Sequence, residues 1–198
     1  MKEEERAAIV LRAKAELRKR LRALRQTTPA AALAKRSERI VENLRAHEAV
    51  ARASSVALFF PIEARHEVDL RALDADLRAR GARVAYPSVD AEGAMHFRFA
   101  TLAELDPDPL GFHGAPQTAP AADALDVIVV PALALDETGR RLGYGMGFFD
   151  RALPRFAAAK KIGVAYDFQL LVEVPVNEHD VTMDVVVTDA RTLIPKRE

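Results

Sequence analysis

The chain contains no cysteine in its 198 residues. Disulfides, thiolate nucleophiles and zinc–thiolate centres are therefore excluded. It carries no excess of either charge: Lys+Arg and Asp+Glu each number 29, so the formal net charge is zero. Domains that grip nucleic acid usually show a basic excess, and no nucleic-acid partner is expected. Long apolar runs are also lacking. The longest falls far short of the ~18 residues needed to span a bilayer, so no membrane partner is expected. The first residues, Met1-Lys2-Glu3-Glu4-Glu5-Arg6, are charged and have no apolar core like a signal peptide's, which leads to the expectation of a cytoplasmic protein. Five histidines, His47, His66, His96, His113 and His179, show no metal-ligand spacing. Apolar residues make up 49% of the chain, and its length suits a single domain, 1–198, with a sizeable core.

The apolar pattern alternates between helical and strand periods. Residues 4–25 read as a helix with Val10, Leu17, Leu21 and Leu24 on one stripe and Lys14 and Arg18 along its edge. Thr28-Pro29 predicts the start of a second helix to about residue 50, with the threonine hydroxyl as N-cap and Leu33, Ile40 and Leu44 inward. Ser55–Phe60 is a short continuous apolar run, which predicts a strand buried on both faces. A helix is predicted over 68–80, closed by Gly81. A strand is predicted over 83–86, stopped by Pro87, and an antiparallel edge strand over 95–99. The proline-rich stretch 100–125 reads as a long irregular connection, of the kind that is usually functional or mobile. Further strands are predicted at 126–130, 161–166 and 184–188, with a short helix from about Phe149. Strands separated by helices predict an α/β chain with a mostly parallel sheet covered on both faces. Ligands in such sheets bind beyond the carboxyl ends of the strands.

The most unusual stretch is Arg140-Arg141-Leu142-Gly143-Tyr144-Gly145-Met146-Gly147-Phe148-Phe149-Asp150-Arg151. Glycine permits positive φ and close approach by another atom. Consecutive main-chain N–H groups in such a loop can form an anion-binding concavity. Arginine offers a planar, permanently charged fork for phosphate oxygens, and aspartate is a hard oxygen ligand suited to Mg²⁺. On the residues alone the stretch reads either as a phosphate cradle with its own metal ligand or as an ordinary glycine-rich turn. It is not a Walker A loop, because no Gly-Lys-Ser/Thr follows at the required spacing. It is not the dinucleotide fingerprint either, because the spacing is Gly-x-Gly-x-Gly.

Several ordered signatures accompany it. They are Lys14-x-x-x-Arg18, Phe59-Phe60-Pro61 leading to Glu67-Val68-Asp69, Asp126-x-Ile-Val-Val-Pro131, Asp136-x-x-Gly139 before the loop, and Pro175-Val176-Asn177-Glu178-His179-Asp180-x-x-Met183-Asp184. With them the chain resembles the 5-formyltetrahydrofolate cyclo-ligase (5,10-methenyltetrahydrofolate synthetase) family over about residues 14–190. The resemblance implies a three-layer α/β/α sandwich related to the sheets of sugar-phosphate isomerases and CoA-transferases. It implies ATP- and Mg²⁺-dependent cyclisation of 5-formyltetrahydrofolate, with or without a polyglutamate tail, by a protein expected to act as a monomer.

Residue by residue, the resemblance implies that Lys14, Arg18 and Arg141 contact ATP, with Lys14 and Arg141 supplying catalytic charge. Leu142, Gly143, Tyr144, Gly145, Met146, Gly147, Phe148 and Phe149 would wrap the nucleotide. Asp150 and Asp184 would hold Mg²⁺, and Phe60 and Glu67 would line the folate site. Two positions depart from the family's pattern: Phe149 stands where a tyrosine is usual, and Met146 where glycine, lysine or alanine is common. The alternative readings are a non-catalytic nucleotide- or folate-binding paralogue of the same fold, and a sugar-phosphate isomerase whose loop holds a phosphate monoester.

Overall fold

The computed structural model describes residues 3–107 and 111–196. Met1 and Lys2 of the charged N-terminus and residues 108–110 of the proline-rich stretch lie outside the described residues. The chain opens with three helices, α1 (Glu3–Thr27), α2 (Ala30–Ala46) and α3 (Glu48–Arg52). Next come β1 (Ser55–Ala57), α4 (Arg71–Ala79), β2 (Arg83–Val89) and β3 (Met95–Phe99). Two short strands follow, β4 (Asp106–Pro107) and β5 (His113–Gly114), then β6 (Val127–Pro131), β7 (Ala134–Asp136) and β8 (Arg141–Leu142). The chain ends with α5 (Phe148–Ala152), β9 (Lys160–Val164), β10 (Leu170–Leu171), β11 (Val185–Val187) and β12 (Thr192–Leu193). No helix among the described residues is long and apolar enough to cross a membrane.

The main sheet has the order β12-β11-β9-β6-β1-β2-β3. Its five central strands are parallel, and β3 and β12 pair antiparallel at the two edges. Layering follows from strand alternation. Val127 and Val129 of β6 face one way and pack with Leu33, Ile40 and Leu44 of α2 and Leu73 and Leu77 of α4. Ile128 and Val130 face the other way and pack with Ala152, Leu153 and Phe156. A strand covered on both faces needs no polar alternation, which explains the continuous apolar run. This is the expected three-layer α/β/α arrangement around a mostly parallel sheet.

A third apolar cluster fixes the position of α1. Leu21 packs with Leu133, Ala134, Leu142 and Val174, and Leu17 and Tyr144 close its edge. Each fully buried leucine there contributes roughly 1.5–3 kcal/mol. The cluster clamps α1 onto a small second sheet, β10-β7-β8, from which the glycine loop leaves directly.

The structure departs from the sequence expectations in several places. Thr28 does not cap α2; its hydroxyl donates to the Leu24 carbonyl at 2.8 Å and closes α1. The second helix ends at Ala46. His47 then starts α3, its Nδ1 accepting from the Ala49 N–H at 3.2 Å. On α1, Leu24 is 44% exposed while Arg25 is 2% exposed, so the stripe's last inward position belongs to the arginine. Pro87 does not end its strand. The Pro87 carbonyl accepts from Ala115 on the flank where β1 has already stopped at Ala57, so the absent N–H removes no ladder bond. The stretch 100–125 is stitched along the sheet edge: Phe99 N–H donates to the Pro120 carbonyl and Ala122 N–H to the Phe97 carbonyl, both at 2.9 Å.

Candidate active site

A cavity of about 350 Å³ opens beyond the carboxyl ends of β1 and β6, where Phe59, Phe60 and Pro131 line it. Its walls come from several separate stretches of chain, among them α1, the segment after β1, Phe112 and His113, the glycine loop, and the connection 177–180.

The glycine loop forms one end. Two of its glycines are dictated by backbone conformation, with φ +105° at Gly145 and +68° at Gly147. The third leaves room for a side chain: a Cβ on Gly143 would lie 2.8 Å from Arg141 Nη1 and would displace that guanidinium. Two carbonyls of the loop are taken by α1. Arg18 Nε donates to the Gly143 carbonyl at 2.9 Å, and Arg22 Nη2 to the Tyr144 carbonyl at 3.0 Å. Lys14 is 4% exposed and pairs with Asp180. Asp180 in turn accepts from the Asn177 N–H at 2.6 Å. Arg141 donates to the Pro131 carbonyl at 3.2 Å and to Asp150 at 2.8 Å. Its guanidinium lies 5.8 Å from the Phe149 ring.

Three cations, Lys14, Arg18 and Arg141, thus face two carboxylates at this end. Burial lowers the Arg18 guanidinium from its usual value, and neighbouring Arg22 and Arg141 act in the same direction against Asp180 and Asp150. Crowded, partly desolvated cations are relieved by an incoming anion. A polyphosphate is the kind of ligand that would lower the free energy of this wall.

The opposite end is organised around Glu67, which is 9% exposed. Burial pushes its carboxyl up. The Ile62 N–H at 3.0 Å, the Tyr144 hydroxyl, Arg25 and Arg65 all act to hold it ionised. Phe60 lines the cavity with its ring 4.9 Å from that of His113.

Over residues 10–189 the sequence matches the 5-formyltetrahydrofolate cyclo-ligase family. The chain belongs to this family. It is 32% identical over 155 residues to 5-formyltetrahydrofolate cyclo-ligase of Escherichia coli K12, covering 72% of this chain and 81% of that protein. A shorter match, 51% identical over 73 residues, relates it to the Mycolicibacterium smegmatis cyclo-ligase, over 36% of this chain and 38% of that one. Its fold superimposes on the NMR structure of Aquifex aeolicus 5,10-methenyltetrahydrofolate synthetase with a TM-score of 0.82 and 29% identity, over 93% of this chain and 94% of that one.

Within the cyclo-ligase fold, the structure brings together Lys14, Arg18, Arg141, Leu142, Gly143, Tyr144, Gly145, Met146, Gly147, Phe148, Phe149 and Asp150, with Phe60 and Glu67, around one cavity. Met146 is 55% exposed at its rim. Phe149 lines the cavity with its ring 6.3 Å from that of Phe97 and 5.8 Å from the Arg141 guanidinium.

Asp184 is a correction. It sits at the amino end of β11, its carboxylate accepting from the Lys161 N–H at 2.8 Å at the start of β9. It lines a separate depression with Asn43, His47 and Lys160. Parallel strands carry their two ends to opposite edges of a sheet, so Asp184 and the cavity lie at different edges. The carboxylate that accompanies Asp150 is Asp180.

Sequence reasoning also missed Arg25, Arg65, Phe112, His113 and Asn177. Arg25 was findable. It lies eleven residues after Lys14, and at 100° per residue this returns to within about 20° of the same helix face. Phe112 and His113 reach the cavity only because their segment is laced to the sheet edge, which nothing local announces.

Proposed function

We infer that the protein converts 5-formyltetrahydrofolate to 5,10-methenyltetrahydrofolate with consumption of ATP, releasing ADP and phosphate. The observation that carries this reading is the convergence of Lys14 and Arg18 with Arg141 and the glycine loop, 123 or more positions further along the chain, on a cavity whose far end presents Glu67. One end suits a polyphosphate, and the other suits a heterocycle with N–H donors.

The chemistry requires charge and placement more than a protein nucleophile. A formamide carbon is a poor electrophile because its nitrogen lone pair is delocalised. Transfer of the γ-phosphoryl group from ATP to the formyl oxygen makes that oxygen a leaving group, with ADP departing. The N10 amine of the folate then attacks the carbon, the ring closes and phosphate leaves. Phosphoryl transfer depends mainly on alignment and neutralisation of charge on the transferring group. Lys14, Arg18 and Arg141 supply that charge from two sides. Gly145 and Gly147 let the main chain pass the nucleotide without a side chain between them. Glu67 binds the pterin N–H groups and, with Phe60, sets the formyl group toward the cationic end.

The donor set fits a divalent ion of the Mg²⁺ class. Mg²⁺ commonly takes one or two carboxylates and completes its shell with water and phosphate oxygens. Among the described residues no cluster of three or more histidine or acidic side chains is arranged around a metal, which suits an ion held largely by the nucleotide. Asp150 would hold it, with Asp180 the nearest second carboxylate. Both now pair with cations that a polyphosphate would engage. When bound, the ion neutralises phosphate charge.

The test supplies the purified protein with ATP, Mg²⁺ and 5-formyltetrahydrofolate, and follows ADP release together with the absorbance of the methenyl bridge. ADP release that needs the folate, with equimolar methenyl product, is expected. Absence of product with all three present, or turnover indifferent to ATP, would overturn the reading.

A further inference from the structure

Tyr144 belongs to both ends of the cavity. Its main chain sits between Gly143 and Gly145, pinned to α1 through Arg18 and Arg22. Its ring lies near two guanidinium groups, 5.4 Å from that of Arg65 and 5.9 Å from that of Arg25. The Tyr144 hydroxyl accepts a hydrogen bond from Arg25 Nη1 at 2.7 Å. Guanidinium has no acceptor, so the hydroxyl keeps its own proton to give away. The nearby acceptor is the Glu67 carboxylate, which lines the same cavity and interacts with the Tyr144 hydroxyl.

Arg25 has both terminal nitrogens held, while its Nε is buried without a hydrogen-bond partner among the described residues. It donates to the Ala132 carbonyl at 3.0 Å, to Gln169 Oε1 at 3.1 Å and to the Arg65 carbonyl at 3.3 Å, and it lies 5.8 Å from the Tyr166 ring. Among the described residues no carboxylate pairs with it directly. A buried cation without a counter-ion is costly, and here the compensating charge is Glu67, one hydroxyl away. Arg25, Tyr144 and Glu67 therefore form one interacting cluster, with the Tyr144 hydroxyl at its centre. Neutralising or displacing Glu67 alters what Arg25 experiences, and displacing the glycine loop moves the link between them.

We propose that Arg25 and Tyr144 are positioning residues that couple the two substrate sites, so that seating a nucleotide on the glycine loop fixes the Glu67 carboxylate for the reduced folate. The proposal rests on the function inferred above and adds how the two sites communicate. Because Tyr144 belongs to the glycine loop and its hydroxyl lies between Arg25 and Glu67, no longer route is needed. Linkage requires the effect to be reciprocal: the folate tightens nucleotide binding by the same factor.

The experiment measures the dissociation constant of 5-formyltetrahydrofolate by calorimetry, with and without a non-hydrolysable ATP analogue and Mg²⁺. For the wild type the analogue should tighten folate binding about fivefold or more, the lower range of measured couplings. In Tyr144→Phe, which keeps the ring and removes the hydroxyl, the ratio should fall toward one. Arg25→Lys keeps the charge but has one nitrogen in place of a fork, and should lower the ratio in the same way. General damage would weaken each binding constant and leave the ratio between them, so the ratio separates coupling from loss of structure. Two ligands that bind the wild type with no mutual effect, or a ratio that survives in both variants, would overturn the proposal and leave the proposed function standing. A wild type that binds neither ligand would sink the function itself, and the coupling with it.

Discussion

Arg141 offers the sharpest single perturbation. Its side chain is 4% exposed and its two terminal nitrogens point in different directions, one to the Pro131 carbonyl and one to Asp150. Its Nε is buried with no partner among the described residues. Truncation in Arg141→Ala deletes a charge-assisted contact, worth about 1.5–3 kcal/mol. At about 1.36 kcal/mol per factor of ten this is a loss of roughly 10- to 150-fold in kcat/KM for ATP.

Arg141→Lys should lie near the lower figure and not near wild type. A single ammonium cannot reach the carbonyl and the carboxylate at once, and a strongly hydrated point charge is a poor substitute for a fork. Stability must be followed separately, because Asp150 is left without its cation; its 22% exposure lets water compensate in part. The assay is steady-state kinetics at saturating folate with ATP varied, beside thermal unfolding of the same preparations. If Arg141→Lys unfolds normally and keeps kcat/KM within threefold of wild type, the bidentate role argued here is wrong.

Asp150→Asn should raise the Mg²⁺ concentration needed for half-maximal rate, while Asp184→Asn should leave it unchanged; a metal titration distinguishes them, and the opposite ranking would restore Asp184 to the site. Gly139→Ala should cost about 2 kcal/mol or more, because Gly139 has φ +82° and a Cβ there would sit 2.5 Å from the Met183 carbonyl; a fall of roughly 5 °C or more in Tm is expected. Glu67→Gln tests a sign. The Glu67 carboxyl is raised by burial, so keeping it ionised costs the folded state stability above its raised value, and that cost disappears as pH falls through the folded value to below the ordinary range. The stability of Glu67→Gln relative to wild type, measured by denaturant titration, should therefore decline from about pH 7 to about pH 4; a relative stability that rises over that interval refutes the direction.

The sequence by itself determined the layers and the chemistry at hand. Short, β-branched apolar runs bounded by proline, such as Val127–Val130, read as strands buried on both sides, and the helical stripe through Leu33, Ile40 and Leu44 supplies cover for one face. These patterns are legible because burial is periodic along the chain. The loop was legible as well, since few arrangements need three glycines between an arginine and an aspartate. Tertiary structure decided which distant groups meet. Lys14 reads as a charged edge in isolation and becomes buried only because α1 docks on the β7–β8 hairpin and Asp180 arrives from 166 positions away. The resemblance pointed to Asp184, four positions beyond Asp180, yet Asp180 lines the cavity and Asp184 lies at the opposite edge of the sheet. Arg25 is alike: its helix face is computable from spacing, but the hydroxyl that it grips, and the carboxylate beyond that hydroxyl, are brought to it by other segments. Local order follows from side-chain size and polarity along the chain. Convergence follows from how the layers pack, and no local pattern encodes it.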